Sequence, residues 1–152
     1  GNVYNLLNQI NSNRFLMIGN GKNIKSMAYV ENVAAFIEHS LCINKGFHVF
    51  NYVDKPDMNM NTLISTIRKT LFNKSGVGIR VPIFLGYLIG YLADIFSKIT
   101  GVNLPVSSIR IKKFLATTQF STSIQDTDFK APFKLNDALI KTIRYEFLDK
   151  EI

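Results

Sequence analysis

The sequence has few of the residues that most often carry chemistry in proteins. Its 152 residues include one cysteine, two histidines and no tryptophan. A lone Cys42 excludes an internal disulfide and a cysteine-based zinc site. We expect Cys42 to be a buried, small apolar side chain and the protein to be cytoplasmic. His39 is expected on a helix surface and His48 in a strand, and neither stands in a metal-ligand spacing.

Catalytic signatures are also missing. None of the six tyrosines has a lysine four residues later. The Tyr-x-x-x-Lys pair, in which a lysine prepares a phenol to act as general base, is therefore absent. The glycine-rich GxGxxG and GxxGxxG patterns, GxSxG, HExxH and the Walker A pattern are absent too. We expect this chain to be inactive alone, to bind no metal and to hold no cofactor.

The charge is strongly positive, with 18 basic and 11 acidic residues, a net charge of +7 and a pI of about 9.6. Such a balance suits nucleic acid, an anionic membrane or a phosphorylated ligand. The cations are spread along the chain, and the densest group is Arg110, Lys112 and Lys113. No block of like charges or RNP pattern indicates nucleic acid. A non-catalytic basic domain that binds nucleic acid remains an alternative, recognisable by steep salt dependence.

Hydrophobic residues make up 47% of the chain, enough for a packed core. No repeat or long linker divides it, so we expect a single unit over residues 1–152. The residue pattern predicts a helix-rich, mixed α/β structure. Helices are expected over about 2–11, 29–41, 59–72, 107–116 and 135–148, strands over 15–18, 47–53 and 120–123, a turn at 54–57, an extended piece at 79–82 and one helical turn at 124–129.

Apolar spacing predicts which helix faces point inward. The second helix should bury Val30, Val33, Ala34, Ile37 and Leu41, the third Leu63, Ile64, Ile67 and Leu71, and the last Leu139, Ile143 and Phe147. Asn51 should hydrogen-bond to the backbone of a neighbouring loop.

A very apolar run extends from Val81 to Ala93 and contains Gly86 and Gly90 at the GxxxG spacing. It is shorter than the roughly 20 residues needed to span a bilayer. We therefore expect a buried or interface helix, with membrane attachment as the alternative. Residues 101–105 should break the chain after it.

The segment from Arg14 to Ile37, RFLMIGNGKNIKSMAYVENVAAFI, resembles the substrate-binding half of the NAD-dependent epimerase/dehydratase family. These are the extended short-chain dehydrogenase/reductases, which include nucleotide-sugar epimerases. The ending FSTSIQDTDFKAPFKLNDALIKTIRYEF is also similar, although Asp128 stands where the family usually has glycine. The resemblance spans nearly all of the chain and depends on the order and spacing of weak motifs.

The resemblance implies a substrate-binding site. Lys25 stands where the family usually has an arginine for the diphosphate, so it keeps the charge but loses the bidentate fork. The implied contacts are Asn2 and Val3 to the nucleotide diphosphate, the backbone of Phe15, Leu16 and Met17 to the base, and Lys25, Arg110 and Lys112 to the phosphates.

The resemblance also implies that this chain is the C-terminal substrate-binding lobe of an extended short-chain dehydrogenase/reductase, lacking most of the Rossmann sheet. The longer enzyme would use NAD or NADP to oxidise or reduce a sugar carbon. Its expected partners are a nucleotide-diphosphate sugar (foremost a UDP-sugar), its own N-terminal Rossmann half and a second copy in a homodimer. Nucleic acid and membrane are disfavoured. The other alternative is a membrane-associated reductase similar to the 3β-hydroxysteroid dehydrogenases, with residues 81–99 as its anchor.

Overall fold

The computed structural model describes residues 2–102, 104 and 106–149. Over these residues the fold is helix-rich and mixed α/β, as predicted, with two small two-stranded sheets. Strand β1 (Met17–Ile18) pairs in parallel with β4 (Arg80–Val81), and β2 (Ile24–Met27) pairs antiparallel with β3 (Asp54–Asn59). The elements are α1 (Asn2–Asn11), β1 (Met17–Ile18), β2 (Ile24–Met27), α2 (Val30–Ser40), β3 (Asp54–Asn59), α3 (Met60–Phe72), β4 (Arg80–Val81), α4 (Ile83–Thr100), α5 (Ser108–Leu115) and α6 (Leu135–Phe147).

The hydrophobic core lies where α1, α3 and α6 meet. Helix α3 fills its centre, because its apolar residues repeat at helical spacing on one face. The predicted inward faces of α3 and α6 are confirmed. The buried core residues are Leu7, Ile10, Met17, Met58, Met60, Leu63, Ile64, Ile67, Leu135, Leu139 and Ile143, and Leu71 and Phe147 pack against them partly buried.

Helix α3 has well-formed ends. The side chain of Asn59 accepts a hydrogen bond from the Thr62 N–H at 2.9 Å, which satisfies a backbone donor that the first turn leaves open. Asn73 closes the helix in the left-handed conformation, with φ of 54°. These caps fix where α3 begins, and so fix the loop that packs against its start.

The predicted inward face of α2 is wrong. Val30, Ile37 and Leu41 are exposed, and the residues that α2 buries are Asn32 and Phe36. The Asn32 side chain donates to Asp54 Oδ1 at 2.8 Å and to the Phe133 carbonyl at 2.9 Å. These buried hydrogen bonds direct the Asn32 side of α2 inward. The spacing of apolar residues does not predict this orientation, because the residue that sets it is polar.

The expected strand over 47–53 is also wrong. Its residues have no regular structure, and strand β3 instead covers the expected turn at 54–57. The rings of Phe50 and Tyr52 pack on Phe36 with centroids 5.2 and 5.5 Å apart, so aromatic packing holds the segment in place of a β-ladder. His48 is therefore not in a strand, and Cys42 is exposed rather than buried.

Residues 120–123 do not form the expected strand. Thr118, just before them, makes an isolated parallel bridge with Lys25. Asn51 binds this region as predicted, donating from Nδ2 to the Ser121 carbonyl at 2.6 Å. A 3₁₀ turn over Ile124–Asp126 matches part of the helical turn predicted at 124–129.

Helix α4 is not buried by the rest of the described chain. Its two buried residues are Gly86 and Gly90, which bring it close to β1 and α5. A Cβ at Gly86 would come within 2.7 Å of the Ile18 side chain, and one at Gly90 within 2.9 Å of the Ser108 backbone. Gly101 ends α4 with a φ of 71°. The rest of the predicted break includes Asn103 and Pro105, which lie outside the described residues.

Candidate functional site

A glycine-containing loop between β1 and β2 is held from two sides. Gly19 and Gly21 have φ of 77° and 69°, a region that favours glycine. The Arg80 guanidinium donates from Nη1 to the Gly19 carbonyl at 2.8 Å, and Asn61 Nδ2 donates to the Asn20 carbonyl at 2.9 Å. A Cβ at Gly21 would overlap the Asn61 side chain. The loop is therefore preformed.

Sequence reasoning missed the two side chains that hold this loop. Arg80 Nη2 also donates to Asn61 Oδ1 at 3.1 Å, so the two residues form a linked pair. Arg80 is in the two-residue strand β4, and Asn61 is in the first turn of α3. Neither has a signature in the sequence, because both act only once β4 and α3 lie beside the loop.

Lys25 joins strand β2 to the end of α5. Its Nζ donates to the carbonyls of Lys113 at 3.0 Å and Ala116 at 2.6 Å. A cation at a helix C-terminus satisfies carbonyls that the helix leaves open and offsets the negative end of its dipole. Partial burial lowers the pKa of Lys25. Two of its three N–H donors are used here, so a phosphate contact stays a prediction that depends on the third.

The predicted base-binding segment lies against α5 but is partly used by the fold. The Met17 side chain is buried in the core, and its N–H donates to the Ile79 carbonyl at 3.0 Å. The Phe15 ring packs near Phe114 of α5, with centroids 6.0 Å apart. Leu16 is the one of the three with a largely exposed side chain. A base contact through this backbone stays a prediction.

Asn2 and Val3 lie at the opposite end of α1 from the Phe15 segment. The helix has ten residues, so it is about 15 Å long. The next residue, Tyr4, stacks on Phe147 of α6 with ring centroids 6.0 Å apart. The structure thus gathers Phe15, Lys25 and α5, and places Asn2 and Val3 beside the last helix. Their predicted role is not tested by this arrangement.

A shallow groove of about 630 Å³, widely open to solvent, lies along α4 beside Lys112 of α5. Four of its lining residues are apolar or aromatic and one is a cation: Phe84, Tyr87, Leu88, Tyr91 and Lys112. The Tyr87 and Tyr91 rings stack 6.3 Å apart along one wall. Such a lining suits an amphiphile whose charged head is an anion.

One contact holds the start of α5 against α4, and a second caps α5 itself. Asp94 Oδ2 accepts the Ser108 N–H at 3.1 Å, and Ser107 Oγ accepts the Arg110 N–H at 3.3 Å. Both acceptors satisfy open N–H groups at the start of α5. Arg110 and Lys112, two predicted phosphate contacts, are therefore on a helix fixed beside the groove.

Strand β2 is also anchored by the carboxylate of Asp57. Its oxygens accept hydrogen bonds from Ser26 Oγ at 2.7 Å, Lys55 Nζ at 2.6 Å and Gln119 Nε2 at 2.9 Å. Burial acts to raise the pKa of Asp57, but these three hydrogen bonds outweigh it, and the pKa is lowered. Asp57 therefore holds β2, β3 and the segment after α5 together as a charged group.

A metal centre is not offered by the described residues, which contain no cluster of three or more histidine, cysteine, aspartate or glutamate side chains. A smaller groove of about 270 Å³ lies where His39 Nε2 meets Asp128 Oδ1 at 3.1 Å, with the exposed Cys42 beside it. It holds none of the predicted site residues.

The chain is similar, over nearly its whole length, to an epimerase of a diphospho-sugar. The relative is the N-acetyl-alpha-D-glucosaminyl-diphospho-ditrans,octacis-undecaprenol 4-epimerase of Escherichia coli O157:H7, which is 50% identical over 150 residues and 97% of this chain. The chain spans 45% of that protein's length. No protein-family profile matches, and neither does any solved structure.

Proposed function

We propose that this chain is the substrate-binding portion of an epimerase whose substrate is a sugar joined through a diphosphate to a polyprenol. The observation that carries this proposal is the groove between α4 and α5, with aromatic and aliphatic walls and Lys112 at its side. The relative's name describes a sugar diphosphate attached to a lipid. The proposal therefore replaces the expected nucleotide by an isoprenoid and keeps the diphosphate.

The residues can be assigned to parts of such a substrate. Lys112 would pair with the diphosphate, and Arg110 on the same helix would add to the positive potential. The isoprenoid units next to the diphosphate would lie along Leu88 and Tyr91. The sugar would point toward the glycine loop, which lies at the end of the groove where α4 begins and α5 ends. There Ile83 and Leu115 come within 3.0 and 3.1 Å of where a Gly19 Cβ would stand.

NAD or NADP dependence is proposed for the longer enzyme, through a part other than this chain. In a dinucleotide-binding fold, a glycine-rich turn leads from a strand into a helix whose N-terminus binds the pyrophosphate. Here the Gly19–Gly21 turn leads from β1 into strand β2. The described residues therefore do not fit this cofactor. We assign the redox step to the N-terminal Rossmann half implied by the resemblance.

Equilibrium binding to the chain tests the proposal. The probe is N-acetylglucosamine linked through diphosphate to farnesol, a short-chain analogue, and UDP-N-acetylglucosamine is the comparison ligand. We expect saturable binding of the farnesyl probe, tighter than that of the UDP-sugar. Lys112→Ala should weaken it about tenfold, the effect of losing about 1.4 kcal/mol. Lys69→Ala, which removes an exposed lysine of α3, is the matched control and should leave it unchanged.

Other outcomes would point to the alternatives. Tighter binding of UDP-N-acetylglucosamine would restore the nucleotide sugar as the ligand. Binding of duplex DNA with a steep salt dependence would support a nucleic-acid-binding domain. The epimerase assignment is tested separately with the full-length gene product, which is incubated with the farnesyl probe. The sugar is then released by mild acid hydrolysis and identified by chromatography. Absence of the C4 epimer would overturn that assignment.

A further inference from the structure

Helix α4 exposes apolar side chains around most of its circumference. Of its 18 residues, only Gly86 and Gly90 are buried. By length and composition it is the one helix of the described chain that could cross a membrane. The exposed side chains are Ile83, Phe84, Leu85, Leu88, Ile89, Tyr91, Leu92, Ile95, Phe96 and Ile99.

The packing of α5 argues against a helix that crosses the bilayer. Gly90 and Asp94, in the middle and second half of α4, both contact Ser108 at the start of α5. Lys112, one turn further along α5, lines the groove beside Phe84 and Tyr87. A crossing α4 would carry Lys112 into the hydrocarbon, where a charge is costly. Its length of about 27 Å is also short of the hydrocarbon thickness of about 30 Å.

The charges around α4 are those that an anionic lipid surface attracts. From Ile83 to Leu115 the sequence has four cations, Lys98, Arg110, Lys112 and Lys113, and one anion, Asp94. The Asp94 carboxylate accepts the Ser108 N–H on the side of α4 that faces α5. An apolar helix with a cationic border binds at the headgroup level, through buried apolar area and attraction to anionic lipids.

Helix α2 shows that exposure alone would not suffice. It also leaves apolar residues uncovered, among them Val30, Ile37 and Leu41. Its sequence has two anions, Glu31 and Glu38, and no lysine or arginine. Lys141 of α6 pairs with Glu31 at 2.7 Å and Glu38 adds a negative charge, so this face lacks the excess of cations found around α4.

We propose that α4 lies in the headgroup region of an anionic bilayer, parallel to its surface, with Leu88, Leu92 and Ile95 toward the hydrocarbon. Lys112 would then lie at the depth of the lipid phosphates, which is also the depth of the diphosphate of a membrane-embedded polyprenol. The reason for α4 to bind a membrane, access to a lipid-linked substrate, rests on the proposed function. The orientation of α4 is inferred separately, from the exposure, packing and charge of α4 and α5.

A single tryptophan can test it, because the chain contains none. Leu88→Trp places the reporter on α4, and Leu41→Trp places a matched one at the end of α2, at another exposed leucine. With phosphatidylglycerol vesicles we expect the emission of the Leu88→Trp protein to shift to the blue and to be quenched by brominated acyl chains. The Leu41→Trp emission should stay unchanged. Phosphatidylcholine vesicles should bind at least about tenfold more weakly.

Each remaining outcome is decisive. No shift in the Leu88→Trp protein, or equal shifts in both variants, overturns the proposal. A concentration-dependent shift without vesicles identifies a second copy of the chain as the occupant. Equal binding to both lipids removes the role of charge and overturns the proposal as stated. Circular dichroism checks that both variants fold. No substrate is present, so failure here leaves the farnesyl-probe binding test of the proposed function independent.

Discussion

Helices α3 and α4 are both rich in large apolar residues, but the protein uses them in opposite ways. In α3, Leu63, Ile64 and Ile67 are at most 2% exposed. In α4, Leu88, Leu92 and Ile95 are 52 to 58% exposed, and the buried positions are glycines. Apolar content therefore does not show whether a helix packs against its own chain.

The difference follows from how the apolar residues are arranged. Helix α3 has one apolar stripe, and exposed polar residues such as Thr62 and Lys69 occupy its other side. The stripe therefore packs in a single direction. Helix α4 is apolar on nearly every side, and its two glycines offer the place where β1 and α5 approach closely. The glycine side of α4 therefore packs within the described chain, and the side with large apolar residues stays exposed to another partner.

The largest expected effect contrasts the two helices directly. Ile67→Ala should lower the free energy of unfolding by about 2–5 kcal/mol, because it removes a fully buried side chain from the core. Leu88→Ala should change it by less than about 0.5 kcal/mol, because its side chain is half exposed. Urea unfolding of both variants measures the two values. Similar losses would show that α4 is packed in solution.

The second prediction concerns the glycine face of α4. Gly90→Val should cost about 1–3 kcal/mol, because the added side chain meets the Ser108 backbone and the end of the Ile111 side chain. Gly46→Val is the control, since a Cβ there meets only the His48 ring, at 3.2 Å and beyond. Urea unfolding would report the cost. A neutral Gly90→Val would mean that α5 does not pack against α4.

The third prediction concerns the buried polar contacts of α2. Asn32→Ala should cost about 1–3 kcal/mol, because the Phe133 N–H and carbonyl both lose their hydrogen-bond partner. Val30→Ala removes an exposed side chain of the same helix and should have little effect. Thermal unfolding of the two proteins gives the comparison. A larger loss for Val30→Ala would restore the apolar face that periodicity predicts for α2.

The smallest effect is expected from pH. The pKa of Asp57 is lowered from its ordinary value of 3.8, so its contribution to stability is present above about pH 4. It is lost as the pH falls through the lower pKa of the folded state. Asp57→Asn should weaken the protein at pH 7 and make unfolding less dependent on pH below about 4. Urea midpoints of both proteins at about pH 7 and pH 3 test this. An equal loss of stability between the two pH values in both proteins would contradict it.

The sequence predicted the helices well and the strands poorly. The apolar stripes of α3 and α6 repeat over several turns, so their bounds and inward faces follow from local spacing. Residues 47–53 are equally apolar and aromatic, but their rings pack on Phe36 and their backbone forms no strand. Strand formation needs a partner backbone that local composition does not specify.

The candidate site divides in the same way. The cations Lys25, Arg110 and Lys112 could be chosen from the resemblance alone. Their surroundings could not, because Lys25 binds carbonyls 88 and 91 residues away. Arg80 and Asn61, which hold the loop, come from elements that meet only in the folded chain.

The sequence by itself determined the helix-rich class, the core stripes and the positive charge, because these depend on residue types and short-range spacing. Tertiary structure alone decided the exposure of α4, the buried position of Asn32 and the two carbonyl contacts of Lys25. The physical reason is that each of these depends on which surfaces meet across long sequence separations. A hydrogen bond or a close glycine contact can then outweigh the apolar pattern of a single helix.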